Sequence, residues 1–100
     1  MKVVINKCYG GFSVSEAVYN ELGVEWDGYG YLAGDWKDYD CGSDILRVDP
    51  ELVAAVEKLG SAANGSYAEL EIVDVPDDAS WHIEEYDGIE RIAEDHKTWG

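Results

Sequence analysis

Residues 67–75 read as a β-strand that is apolar on both faces, and few folds can satisfy such a segment. Leu70 and Ile72 fall on one parity, Val73 and Val75 on the other, and Pro76-Asp77-Asp78 closes the run. Successive strand side chains point to opposite faces, so burial of both gives this strand a central position in its sheet. Lys2 to Asn6 is a short β-branched run that predicts a first strand, ended by the turn residues Cys8-Tyr9-Gly10-Gly11. Near the other end, Trp81 to Ile92 places Asp87-Gly88 between two alternating runs, a strong hairpin signal. Ile89, Ile92 and Ala93 also fit helical spacing, which leaves a short helix over 89–96 as the competing reading.

Two helices are expected. Ser13-Val14-Ser15-Glu16 has capping-box spacing, Val14, Ala17, Val18 and Leu22 share a face, and Gly23 suits a left-handed stop, so helix is predicted over 14–22. The second is signalled by Asp49 as N-cap, Pro50 at the first helical position and Glu51 at the positive end of the dipole. Leu52, Val53, Val56 and Leu59 form its apolar stripe, and Gly60 ends it. A polar loop over 61–66 then leads to the two-sided strand. The order predicts a single α+β domain over residues 1–100, with one mainly antiparallel sheet, a C-terminal hairpin and two backing helices. A chain of 100 residues supports one modest core, and 46% hydrophobic residues supply enough apolar surface to fold it.

That core must form against a formal net charge of -15, from 22 Asp and Glu against 7 Lys and Arg. Self-repulsion on this scale opposes compaction, keeps a protein soluble and creates a field that selects basic partners. Duplex DNA carries one charge per roughly 1.7 Å, so this excess matches about 25 Å of duplex. Direct binding of nucleic acid or of an anionic membrane is not expected, because Lys2, Lys7, Lys37, Arg47, Lys58, Arg91 and Lys97 are scattered singly. No apolar run approaches the roughly 18 residues that span a bilayer, and the first residues turn polar too soon for a signal peptide. Cys8 and Cys41 are the only cysteines, and reduced thiols are the default for an intracellular, soluble chain.

The interval from Val24 to Asp44 is the least regular, and long irregular segments in small domains tend to be functional. It interleaves Glu25, Asp27, Asp35, Asp38, Asp40 and Asp44 with Trp26, Tyr29, Tyr31, Trp36 and Tyr39, opposed only by Lys37. Carboxylates stand in for phosphates before an arginine-rich groove, and aromatic faces stack on guanidinium groups. A partner-binding surface is therefore expected at Glu25, Trp26, Asp27, Asp35, Trp36, Asp38, Tyr39, Asp40 and Asp44. The bland alternative folds the aromatics inward as a loop core, with strands at 29–32 and 36–40.

Other chemistries are weaker. Counted from Asp38, an EF-hand needs glycine sixth and glutamate twelfth, where the chain has Ser43 and Asp49. Cys8, Cys41, His82 and His96 include the residue types of a zinc site but not its close paired spacing. Neither a metal nor another cofactor is expected. Gly10-Gly11 lacks the lysine and the fuller glycine pattern of a P-loop. Cys8, in a glycine turn before the first helix, is the one candidate nucleophile, with His82 or His96 as base, although the negative field disfavours a thiolate. Glu84 and Glu85 fall on opposite faces of a strand and do not make a carboxylate pair.

Asn6-Lys7-Cys8-Tyr9-Gly10-Gly11-Phe12-Ser13 and Ile83-Glu84-Glu85-Tyr86-Asp87-Gly88 resemble segments of short, mostly uncharacterised bacteriophage and prophage proteins. The resemblance covers the two ends better than the middle and brings no catalytic residues. In general character the chain also resembles small acidic phage inhibitors of host defence, such as anti-CRISPR proteins. It implies a non-enzymatic nucleic-acid mimic in the bacterial host cytoplasm, blocking a basic site on a nuclease or effector complex. The alternatives are a small enzyme using Cys8, or a phage structural protein that self-associates into a homo-oligomer.

Overall fold

A computed structural model of the chain describes residues 1–32, 36–37, 44–78 and 80–94, with Asp44 and Glu94 described by their backbone alone. The described elements run β1 (Lys2–Asn6), α1 (Glu16–Leu22), α2 (Asp44–Val48), α3 (Pro50–Leu59), a 3-10 turn (Gly60–Ala63), β2 (Leu70–Asp74), β3 (Trp81–Tyr86) and β4 (Ile89–Glu94). The class is α+β, with the C-terminal hairpin in place. The strands divide into two antiparallel pairs, β1 with β2 and β3 with β4.

The two-sided strand finds its explanation in layers. β2 pairs with β1 alone among the described residues, in the register Lys2↔Asp74 through Asn6↔Leu70. It is therefore not central within a sheet, as its sequence suggested. Instead, both faces of the β1–β2 ladder are covered. On one, Val4, Leu70 and Ile72 join the helical core of Val18, Tyr19, Leu52, Val53 and Val56. On the other, Val3, Ile5, Val73 and Val75 meet Trp81, Ile83 and Ile92 of the hairpin, with Val48 from α2. Two alternating strands thus form the middle of a three-layer stack, which places apolar residues at both parities without a wide sheet.

α3 forms as its local chemistry dictates. The Asp49 side chain accepts from the Glu51 amide at 2.8 Å, Pro50 opens the helix, and the Gly60 amide closes it on the Val56 carbonyl. α1 differs from expectation at its start. Its N-cap is Ser15, whose hydroxyl donates to the Ala62 carbonyl at 2.5 Å instead of capping the helix. Ser13 cannot be the cap because the chain is held extended there: the Val14 amide bonds Gly30, and that of Ser15 bonds Ala63. α2 was not expected from the sequence and begins at Asp44, the last residue of the interval read as irregular, and residues 29–32 form no strand.

The hairpin pairs Trp81 with Glu94 through Tyr86 with Ile89. Asp87 and Gly88 both have positive φ, 52° and 89°, the mirror-image turn that Asp-Gly favours. Residues 89–94 are strand, so the helical alternative does not form there; its last two residues lie outside the described ones.

Candidate functional site

The upper end of the β1 strand is where three separated segments converge, and one asparagine holds them. Asn6 is completely buried and uses every hydrogen-bonding position of its amide. Its Nδ2 donates to the carbonyls of Cys8 and Gly88, both at 2.7 Å. Its Oδ1 accepts from the amides of Cys8 at 3.2 Å and Glu69 at 2.9 Å. The 8–11 turn, the approach to β2 and the hairpin turn are therefore tied to one side chain. The backbones touch as closely: a Cβ on Gly88 would overlap the Tyr9 carbonyl and the Gly11 amide, and one on Gly10 would overlap Tyr67.

Beside this hub lies a buried ion pair. Arg47, from α2, and Glu90, from β4, are 4% and 5% exposed. They form a two-pronged bridge, Nη1 to Oε1 at 2.5 Å and Nη2 to Oε2 at 2.7 Å. The Lys7 amide bonds the Glu69 carbonyl across the ladder, so the alternate residues Val4 and Asn6 turn their backbone groups away from β2. Those are the groups the pair satisfies. The Asn6 amide donates to Glu90 Oε1 at 2.8 Å, and Arg47 Nη1 donates to the Val4 carbonyl at 3.4 Å. The ion pair thus substitutes for a third strand along the open edge of β1. The Arg47 guanidinium also lies 3.6 Å from the centroid of the Phe12 ring.

Two clefts flank this junction. One, of 690 Å³, is lined by Lys7, Glu84, Glu85, Tyr86, Ile89, Glu90 and Arg91. The other, of 380 Å³, is walled by the Gly10-Gly11-Phe12 turn, Tyr31, Arg47, Glu85 and Gly88. Around them Tyr9, Tyr31, Tyr67 and Tyr86 are 72%, 51%, 75% and 77% exposed.

The electrostatics are one-sided. Every described lysine and arginine is already taken: Lys2 by Glu57, Lys7 by Glu71, Lys37 by Asp49 and Glu51, Arg47 by Glu90, Lys58 by Glu21, and Arg91 by Glu84. The carboxylates of Glu51 and Asp49 hold the Lys37 ammonium above its ordinary range. Arg91, with His82, holds the Glu84 carboxyl below the usual carboxylate range. Glu16, Glu25, Glu69, Asp78, Glu85 and Asp87 are exposed and have no cation among the described residues.

The residues expected to bind a partner are divided by the structure. Glu25 is exposed, and Trp26 is 37% exposed with its ring edge-on to Tyr19 at 5.0 Å. Asp27 has a structural task, accepting from the Tyr29 and Gly30 amides at 2.7 and 2.9 Å and from the Tyr19 hydroxyl at 3.2 Å. Trp36 is 6% exposed and belongs to the helical core, so its ring is not an open anchor. Asp35, Asp38, Tyr39 and Asp40 lie outside the described residues, and Asp44 begins α2. Tyr29 and Tyr31 stack within 6° of parallel and remain exposed.

Cys8 is a half-buried free thiol in the turn beside Gly88. His82 pairs with Glu84 on the hairpin, five residues before Asp87, or about 17 Å along the strand. Cys8 and His82, one of the two candidate bases, thus lie toward opposite ends of the hairpin. Cys41 and His96 fall outside the described residues, as does the 38–43 part of the tested calcium loop. Among the described residues no group of three or more His, Cys, Asp or Glu is placed to hold a metal, and no helix is long and apolar enough to cross a membrane.

Sequence reasoning missed Asn6, Arg47 and Glu90, whose roles depend on partners up to 84 residues away. It also missed the surface roles open to Tyr9, Tyr67 and Tyr86. The Asp87-Gly88 turn was the one available signal, since it places Tyr86 at a hairpin tip. No protein family, curated protein or solved structure matches the chain.

Proposed function

We propose that this chain is a non-enzymatic acidic inhibitor of the phage type, a nucleic-acid mimic that occupies the basic site of a bacterial nuclease or effector complex. The observation that supports it best is the internal neutralisation of every described lysine and arginine, which leaves six exposed carboxylates without a counter-charge among the described residues. A surface of that kind repels nucleic acid and attracts the grooves that bind it. Its contact set is Glu25 and Trp26 together with the acids of the following interval, Asp35, Asp38 and Asp40. Inside a bacterial cytoplasm its competitor would be the partner's own nucleic acid. The separation of Cys8 from His82 gives the enzyme reading less support.

Lysine at Glu25, Asp35, Asp38 and Asp40 together is expected to weaken binding to the captured bacterial partner at least a hundredfold, with the circular dichroism spectrum unchanged. Cys8→Ser is expected to bind as the parent does. Retained affinity in the charge-reversed protein would reject this surface, and loss of function in Cys8→Ser would favour the enzyme.

A further inference from the structure

Tyr9, Tyr67 and Tyr86 come from three distant segments, yet the Asn6 hub brings their backbones to one end of the molecule. Tyr9 packs its carbonyl on Gly88, Tyr67 lies on Gly10, and Tyr86 is two residues before Gly88. Each ring is more than 70% exposed, and such rings offer rigid contact area with a polar tip. Three of the six exposed carboxylates that have no cation among the described residues, Glu69, Glu85 and Asp87, stand among the same segments. Glu69 precedes β2 and follows Tyr67 by two positions, while Glu85 and Asp87 flank Tyr86 in the chain.

We infer that this end is a docking surface for arginine side chains of a basic protein. Charge complementarity identifies the occupant. A second copy of the chain would bring like charge against Glu69, Glu85 and Asp87, and nucleic acid would do the same. Lysine satisfies the carboxylates but makes poor use of the rings. Arginine satisfies both, because its flat and weakly hydrated guanidinium stacks on a tyrosine face while its edge donates to a carboxylate. The inference rests on the reading of a basic partner and adds to it a second contact surface with a stated side-chain preference.

The test compares nona-arginine with nona-lysine, fluorescently labelled, titrated with the full chain by anisotropy. The parent is expected to bind nona-arginine about tenfold more tightly. Tyr9→Ser, Tyr67→Ser and Tyr86→Ser combined should erase that difference and leave nona-lysine binding unchanged, and their exposure means the fold should survive. Glu69→Gln, Glu85→Gln and Asp87→Asn combined should weaken both peptides. Equal binding of the two peptides by the parent, or a preference that survives loss of the three rings, would overturn the arginine surface and leave the basic-partner reading standing. Failure of both peptides to bind would overturn both readings.

Discussion

Replacing Arg47 with alanine is expected to remove about 3–5 kcal/mol of folding stability, and Glu90→Ala a similar amount, because each leaves the opposite charge buried without a partner. For a domain whose margin is about 5–15 kcal/mol, either loss brings the chain close to unfolding. The pair satisfies more than itself: with Glu90 gone the Asn6 amide loses its acceptor, and with Arg47 gone the Val4 carbonyl loses its donor. Arg47→Met combined with Glu90→Leu should be more stable than either alanine variant, since it buries no bare charge. It should remain below the parent because the β1 edge stays unsatisfied. Urea unfolding followed by tryptophan fluorescence measures all of these. Single variants within about 1 kcal/mol of the parent would show that the edge is satisfied in some other way.

The second large effect is expected at Asn6. Asn6→Ala removes four hydrogen bonds at a buried junction, and the carbonyls and amides left behind cost about 1–3 kcal/mol each where water does not reach them. A total loss of about 4 kcal/mol is expected, as large as that of many core truncations. Asn6→Asp should be at least as damaging, since it sets a carboxylate against the Cys8 and Gly88 carbonyls in place of a donor. The same exchange at exposed Asn20 should change stability by less than about 0.5 kcal/mol. Thermal unfolding of the three variants would decide the matter, and an Asn6→Asp midpoint equal to that of Asn20→Asp would contradict the hub. Because Asn6 positions the segments that carry Tyr9, Tyr67 and Tyr86, its variants should also lose the preference for arginine before they lose their helices.

What was legible in the sequence was local. Asp49-Pro50 and Gly60 bracket α3 because capping needs only neighbours in the chain, and Asp87-Gly88 marks the hairpin because two positive φ angles in succession suit few residue pairs. The two-sided apolar strand was equally visible, but whether its faces are covered by further strands or by separate layers depends on elements elsewhere. Ser13 had the right spacing for a cap and lost to Gly30 and Ala63, which fix the adjoining backbone. Trp36 and Asp27 read as surface residues because of their company, yet one fills the core and the other closes a turn on three donors. The Arg47–Glu90 bridge spans 43 residues and left no periodic trace, for each appears in sequence as an ordinary surface charge.

The proposed competition between this chain and nucleic acid for one basic groove has a direct test. The direct measurement is capture of partners from bacterial lysate at low salt on the immobilised protein, followed by elution with a short DNA duplex and identification by mass spectrometry. The expected result is a nuclease or nucleic-acid-binding effector that the duplex displaces and that high salt also releases. A partner that stays bound through excess duplex and high salt, or captured material consisting only of copies of the chain itself, would contradict it.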